Sequence, residues 1–307
     1  MGKFIVLAAL LLLPVLIFTI VRRTGRKHPA GHEHGPAHTH RHIGHKHGGM
    51  LSIDYFAYSS KIRGWNPAFK VVLSVLTIVL CIALDNVYVS AVVIVSMAYL
   101  VIAAGGLPPR DYLSVLTIPL TFILISILAI VVDFSAGPVG QWHVHIGFGY
   151  LYTTAPMLKK GVFLMLKILA AVSALQLMIL TTPSSEIISV LRKARVPGIL
   201  VDLMNLIYRF IFILMDVFAR MKNAAESRLG YRDFKTSCYT FGSVASNLLI
   251  LSLKKAGAYY DAMEARCYDG ELLFLEEEKK ADIKVVIPAA AFVLYLLLLW
   301  YLTRQAV

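Results

Sequence analysis

Long apolar runs separated by short polar turns set the plan of this chain. Val71 to Leu84, Val87 to Ala104, Tyr112 to Val132, Gly161 to Leu180 and Val285 to Leu302 each approach the roughly 20 apolar residues that cross a bilayer. The breaks between them carry turn chemistry. Asn66-Pro67 opens the first run, with proline suited to a first helical turn. Asp85-Asn86 is a short reversal, and Gly105-Gly106-Leu107-Pro108-Pro109-Arg110-Asp111 a sharp one. Pro119 lies inside the third run, which bundled membrane helices tolerate. Asp133 to Lys160 reads as a longer loop containing Trp-His-Val-His-Ile. In a strand His143 and His145 would share one face, but two histidines alone complete no metal site.

Phe4 to Val21 is a further apolar run, followed by Arg22, Arg23, Arg26 and Lys27. A cleaved leader is the rival reading. Its apolar core would be about 7–15 residues long and end at small residues, whereas Arg22-Arg23 stands there. A retained helix is expected, its basic end in the cytoplasm.

Between the fourth run and the last the pattern changes. Thr181-Thr182-Pro183-Ser184-Ser185-Glu186 has the caps and first-turn acid of a helix start. Arg192, Lys193 and Arg195 place that short helix in the cytoplasm. Val201 to Met221 is apolar enough to span, yet Asp202, Asn205, Arg209, Asp216, Arg220 and Asn223 draw one stripe along a helix of about 3.6 residues per turn. A charge at mid-bilayer costs several kcal/mol. An amphipathic helix against the cytoplasmic ends of the bundle avoids that cost; a true span with its charges lining a path is the alternative. After a polar connection, Tyr231 to Ser237, a second long helix is expected over Tyr239 to Arg266.

Composition agrees with a membrane class. Of 307 residues 58% are hydrophobic and 16% charged, more apolar and less charged than a soluble domain. The formal charge of +12 fits loops facing the anionic cytoplasmic leaflet; no basic module interleaved with aromatics suggests nucleic acid. Cys81, Cys238 and Cys267 form no C-x-x-C pair and imply no disulfide framework.

The segment from His28 to His47 holds His28, His32, His34, His38, His40, His42, His45 and His47 among glycines and prolines. Such a tract builds no core. Its neutral imidazoles suit divalent transition metals, cobalt and nickel among them; a solvated linker or tag-like segment is the other reading. No tightly bound cofactor is expected. No G-x-x-x-x-G-K-[ST], H-E-x-x-H or nucleophile setting occurs in the sequence, so enzyme readings lack a site.

The informative signal is a phrase that occurs twice. Glu226-Ser227-Arg228-Leu229 precedes Gly230, and Glu264-Ala265-Arg266-Cys267 lies shortly before Gly270. Each closes a long helical pattern next to the residue type that ends helices. One arginine at a helix end serves the helix dipole. Two such ends suit a paired docking surface, because guanidinium forks pair bidentately with carboxylates across an interface.

These residues carry a family resemblance over roughly Tyr55 to Tyr301. Asn66-Pro67-Ala68-Phe69-Lys70, Thr181-Thr182-Pro183, Arg195-Val196-Pro197, Tyr208-Arg209-Phe210 and above all Ala262-Met263-Glu264-Ala265-Arg266-Cys267-Tyr268-Asp269-Gly270 resemble the transmembrane T component of energy-coupling factor transporters, cobalt/nickel type (CbiQ/NikQ-like). The last stretch is similar to the family's second Ala-Arg-Gly signature, and Ser227-Arg228-Leu229-Gly230 to the first. Ser227 replaces alanine, Leu229 displaces the first glycine by one, and Cys267 replaces the second.

The resemblance implies an all-α polytopic bundle with long amphipathic cytoplasmic coupling helices, multi-pass in the cell membrane. It implies a non-catalytic subunit of an ATP-driven cobalt or nickel importer. Two cytoplasmic ATP-binding subunits would each receive one helix end, at Arg228 and Arg266, and a separate membrane S component would bind the ion. The expected organisation is an N-terminal membrane helix (1–27), a histidine-rich linker (28–50), spans one to four (51–180), coupling helices (181–284) and a last span (285–307). The alternatives are a stand-alone metal channel or exchanger lined by Asp202, Arg209 and Asp216, and a metal-dependent membrane enzyme using His143 and His145.

Overall fold

The computed structural model describes residues 49–135, 142–146, 149–270, 279 and 283–305. The expected N-terminal helix and the whole histidine tract lie outside the described residues, as does most of the charged stretch before the last span. The described elements are α1 (Gly49–Ser59), α2 (Pro67–Leu84), α3 (Val87–Tyr99, continued by one π-helical turn Leu100–Ala104), α4 (Pro109–Val131), β1 (Asp133–Ser135), β2 (Trp142–Ile146), β3 (Gly149–Thr153), α5 (Ala155–Thr181), α6 (Ser184–Lys193), α7 (Gly198–Ser227), α8 (Phe234–Glu264) and α9 (Ile283–Gln305). The chain divides into two compact units, 1–183 with 279–307, and 184–278.

In the first unit the polar breaks do what their chemistry dictates. Asn66 caps α2, its Oδ1 accepting from the Ala68 and Phe69 amides, with Pro67 at the first helical position. Asp85 turns the chain in a left-handed conformation (φ 45°) and Asn86 caps α3 by accepting from the Tyr88 amide. A two-residue link of this kind makes α2 and α3 antiparallel neighbours. The same turn is tied down from elsewhere: Lys167 of α5 pairs with Asp85, and Asn86 Nδ2 donates to Thr303 Oγ1 of α9 at 2.7 Å.

Helix α5 is the hub, packed against α1, α2, α3 and α4, while α9 packs on α2 and α3. The core joins Val93, Met97, Leu100, Ala170, Ala174, Leu177, Phe292 and Leu296. Small hydroxylated residues sit between the helices, with Thr77, Ser96, Ser173 and Thr181 buried. Each donates its hydroxyl to the carbonyl four residues back, so polarity is satisfied within one helix while the backbones approach closely. Gly161 allows the tightest approach, since a Cβ there would lie 2.4 Å from Val131 Cγ2. The outward faces are apolar, as lipid requires; Val72, Val79, Ile118, Phe122, Leu294 and Leu298 are all exposed.

Six described helices are long and apolar enough to cross a membrane: α2, α3 with its π turn, α4, α5, α9 and, in the second unit, α7. The outcome is the helical membrane bundle that the pattern predicts. One correction concerns Asp133 to Lys160. It holds a three-stranded antiparallel sheet in the order β1-β3-β2, with Asp133 opposite Tyr152 and Trp142 opposite Thr153. It also holds the start of α5 at Ala155, so Lys159 and Lys160 belong to that helix's opening turns.

The second unit contains α6, α7 and α8. Arg192 Nη2 of α6 bonds Asp202 Oδ1 of α7 at 2.6 Å, and Asp202 is buried. Helices α7 and α8 form an antiparallel hairpin. At one end Gly230 abuts Thr240; at the other Arg209 Nη1 donates to Tyr259 Oη at 3.2 Å and Phe210 meets the Tyr259 ring edge-on at 5.4 Å. The expected connection from Tyr231 to Ser237 is shorter than predicted, because α8 already begins at Phe234.

Candidate functional site

The repeated phrase closes α7 and α8 in one and the same way. At the end of α7 the Arg228 amide donates to Ala225 O (3.1 Å), Leu229 to Glu226 O (3.0 Å) and Gly230 to Ala225 O (2.9 Å). At the end of α8 the Arg266 amide donates to Met263 O (2.9 Å), Cys267 to Glu264 O (3.0 Å) and Tyr268 to Met263 O (3.1 Å). Two nested bonds of this pattern are a Schellman motif, which satisfies the last orphan carbonyls of a helix. Each motif needs one left-handed residue, and these are Leu229 (φ 58°) and Cys267 (φ 60°). This corrects the sequence expectation. Gly230 does not make the first left-handed turn, and Gly270 (φ 102°) lies three residues past the second.

Gly230 has another task. A Cβ there would lie 2.9 Å from Thr240 Oγ1 and 3.0 Å from Ala225 O, so glycine lets the tip of α7 touch the first turns of α8. A third end, that of α6, uses the same device. Arg195 is left-handed (φ 62°), its amide donates to Arg192 O, and the Val196 amide donates to Leu191 O.

The cap orients the arginines. In both copies arginine occupies the position before the left-handed residue, where the chain leaves the helix axis. Arg228 and Arg266 are exposed, and among the described residues neither guanidinium has a hydrogen-bond or ion-pair partner. Glu226 and Glu264 are exposed as well, Glu226 lying 3.6 Å from Lys222; a surface pair of this kind contributes little. Ser227 donates its hydroxyl to Asn223 O at 3.0 Å, while Ala265 stands at the matching place with no hydroxyl. The two arginines end successive antiparallel helices, so they sit at opposite ends of the hairpin. The 31 residues of α8 would span roughly 46 Å at about 1.5 Å per residue. A groove of about 680 Å³ runs between α7 and α8 from the first tip, lined by Met221, Ala225, Arg228, Tyr239, Val244 and Lys254 among others.

The charges considered as a lined path are committed locally. Asp202 pairs with Arg192, Arg209 with Tyr259, and Asp216 with Arg220 at 2.9 Å, both members of that last pair being exposed. Among the described residues no three histidine, cysteine, aspartate or glutamate side chains lie together as a metal site. His143 and His145 fall in β2. The eight histidines from His28 to His47 lie outside the described residues. Sequence reasoning named Leu229 and Cys267 only as departures from the family's glycine positions, and missed Thr240 and Tyr259.

A family profile described as "Cobalt transport protein", CbiQ, matches residues 58–277. The chain is 30% identical over 257 residues to an uncharacterized protein of Methanocaldococcus jannaschii, covering 82% of this chain and 94% of that one. It is 25% identical over 233 residues to "Cobalt transport protein CbiQ" of Rhodobacter capsulatus, covering 76% and 91%. To the "Putative fused cobalt transport protein CbiMQ" of Methanocorpusculum labreanum it is 30% identical over 226 residues, covering 74% of this chain and 38% of the longer fused one.

Proposed function

The chain belongs to the cobalt transport protein family CbiQ, a family of multi-pass membrane transport proteins, and from that premise we propose that it is the non-catalytic coupling subunit, or T component, of an ATP-driven energy-coupling factor importer. The observation that carries this reading is the pair of matched tips. Two guanidinium groups without a partner among the described residues stand on matching backbone caps at opposite ends of one hairpin. A dimer of cytoplasmic ATP-binding subunits offers two equivalent receptors, one for each tip. Carboxylates on those receptors would take the forks of Arg228 and Arg266 in bidentate pairs. Glu226, Ser227 and Gly230, with Glu264 and Ala265, shape the backbone that presents them. Closure of the ATP-binding pair would draw the tips together, change the angle between α7 and α8, and tip a substrate-binding membrane subunit through the bilayer.

Two further features support it. Helix α7 exposes a polar stripe and also Leu203, Ile207 and Ile211, which suits a helix lying between water, lipid and partner better than one enclosing a path. The fused relative's name joins CbiM to CbiQ, which fits a CbiM-like membrane subunit as the S component. Cobalt or nickel is cargo, and the imidazoles from His28 to His47, on the cytoplasmic side of the expected first helix, would hold the ion once it has crossed.

Reconstitution tests the reading. Liposomes holding this chain, the ATP-binding subunits and the CbiM-like subunit should accumulate radioactive cobalt only with ATP, and the chain alone should pass none. Cobalt flux through the chain alone would favour the channel and overturn the proposal.

A further inference from the structure

Over its first half, helix α7 is turned inside out. Asp202 of its polar stripe is buried against Arg192 of α6, and Arg209 reaches Tyr259 of α8, so these polar side chains face the unit's own helices. At about 3.6 residues per turn the opposite side carries Ile199, Leu203, Ile207 and Ile211. They are 76%, 51%, 50% and 37% exposed, with Leu200 and Met204 exposed beside them. A helix in water turns these two faces the other way. An aliphatic face left open over four turns is a surface that something apolar covers.

The charge beside that face says what covers it. The turn leading into α7 carries Lys193 and Arg195, both exposed. Among the described residues neither has a hydrogen-bond or ion-pair partner. From Lys193 to Met204 the one acidic residue is Asp202, and Arg192 already neutralises it. Two uncompensated cations therefore precede the aliphatic row at the end where its exposure is greatest. Arg195 is held there under strain, left-handed at φ 62°, a conformation that glycine takes freely and a side chain opposes. The dipole of α6 does not require it, since Arg192 and Lys193 already stand in that helix's last turn.

We propose that this elbow between α6 and α7 binds anionic phospholipid of the cytoplasmic leaflet. Lys193 and Arg195 take headgroup phosphates, and Ile199, Leu203 and Ile207 lie among the upper acyl chains. A purely apolar protein surface would cover the aliphatic row but leave both cations without counter-charge. An anionic amphiphile answers both halves of the patch at once. The inference goes beyond the coupling role, and it stands whether or not ATP-binding subunits engage Arg228 and Arg266.

Fluorescence quenching on the full chain tests it, in nanodiscs of equal parts phosphatidylcholine and phosphatidylglycerol. A fluorophore is attached at Leu203→Cys in a Cys238→Ser, Cys267→Ser background, Cys81 being buried. The acyl-chain quencher is carried by one lipid or by the other. Labelled phosphatidylglycerol should quench with an apparent affinity about fivefold above that of labelled phosphatidylcholine, the effect of about one cation near an anionic surface. Lys193→Gln with Arg195→Gln should bring the two lipids to parity, and Arg195→Lys should keep the preference. Arg195→Gly separates charge from fold: glycine suits the left-handed turn, so helical content should hold while the preference falls. Equal quenching by both lipids in the parent would overturn the proposal. So would quenching by neither, which would mean that protein covers the face, and so would a preference that survives the double variant.

Discussion

The two arginine-bearing tips share a backbone and differ in what surrounds it. Behind the first, Gly230 presses on Thr240, so the cap of α7 is braced by the helix that follows it. Behind the second, a Cβ on Gly270 would meet nothing within 4 Å among the described residues. Charge differs too. Residues 220–235 carry five basic and two acidic side chains, whereas 258–270 carry one basic and three acidic. What the tips hold in common is therefore narrow: a left-handed residue, a Schellman cap and the arginine before it. What they do not share, the bracing and the field around the guanidinium, is where the two engagements differ. A shared cap on unlike surroundings is what two separate docking points need, since the cap fixes geometry and the surroundings tune strength and rate.

Removing the brace should give the largest local effect. Gly230→Val drives a branched side chain into Thr240 and should cost about 1–3 kcal/mol at the first tip. Amide hydrogen exchange of Arg228 to Tyr231 should then run roughly thirtyfold faster at the middle of that range. Thr240→Ala should return part of it by clearing Oγ1 and Cγ2, while the close approach to Ala225 O remains. At the second tip Gly270→Ala meets no neighbour among the described residues but must hold φ 102°, so no neighbouring substitution should rescue its smaller loss. If Gly230→Val left exchange at the first tip unchanged, the bracing would be fictitious.

A smaller effect, opposite in sign, should appear equally at both tips. A non-glycine residue in the left-handed region carries about 1–2 kcal/mol of strain, and a new glycine costs part of the gain through the unfolded chain. Leu229→Gly and Cys267→Gly should each slow exchange of their cap amides about two- to fivefold, a net gain of about 0.5–1 kcal/mol. A response at only one tip would mean that the two caps are not equivalent.

Most of the bundle was legible because its boundaries use strong local chemistry. Asn66-Pro67, Asp85-Asn86 and Gly105-Gly106 end or start helices through their own dihedral preferences and side-chain bonds, and each does so here. Three features were not legible, each for a physical reason. The sheet pairs Ser135 with Tyr150 and Trp142 with Thr153, and pairing at that separation leaves little periodic trace in a glycine-rich stretch. Helix α5 begins early because Pro156 suits a first turn, whereas Lys159 and Lys160 read as loop. Glycine's usual preference points to Gly230 and Gly270 as the caps, yet Leu229 and Cys267 take the left-handed turn because the hydrogen-bond register of each helix end places it there. The arginines themselves were legible because the phrase repeats; their exposure and lack of partners were not.

Binding of the ATP-binding subunits to this chain in nanodiscs tests the central claim most directly, comparing the parent with Arg228→Ala, Arg266→Ala and the double variant at equal helical content. The account predicts that each single change weakens binding about tenfold or more, as loss of an interfacial arginine does, and that the double change abolishes both binding and ATP-driven cobalt uptake. A double variant that binds and transports like the parent would contradict it.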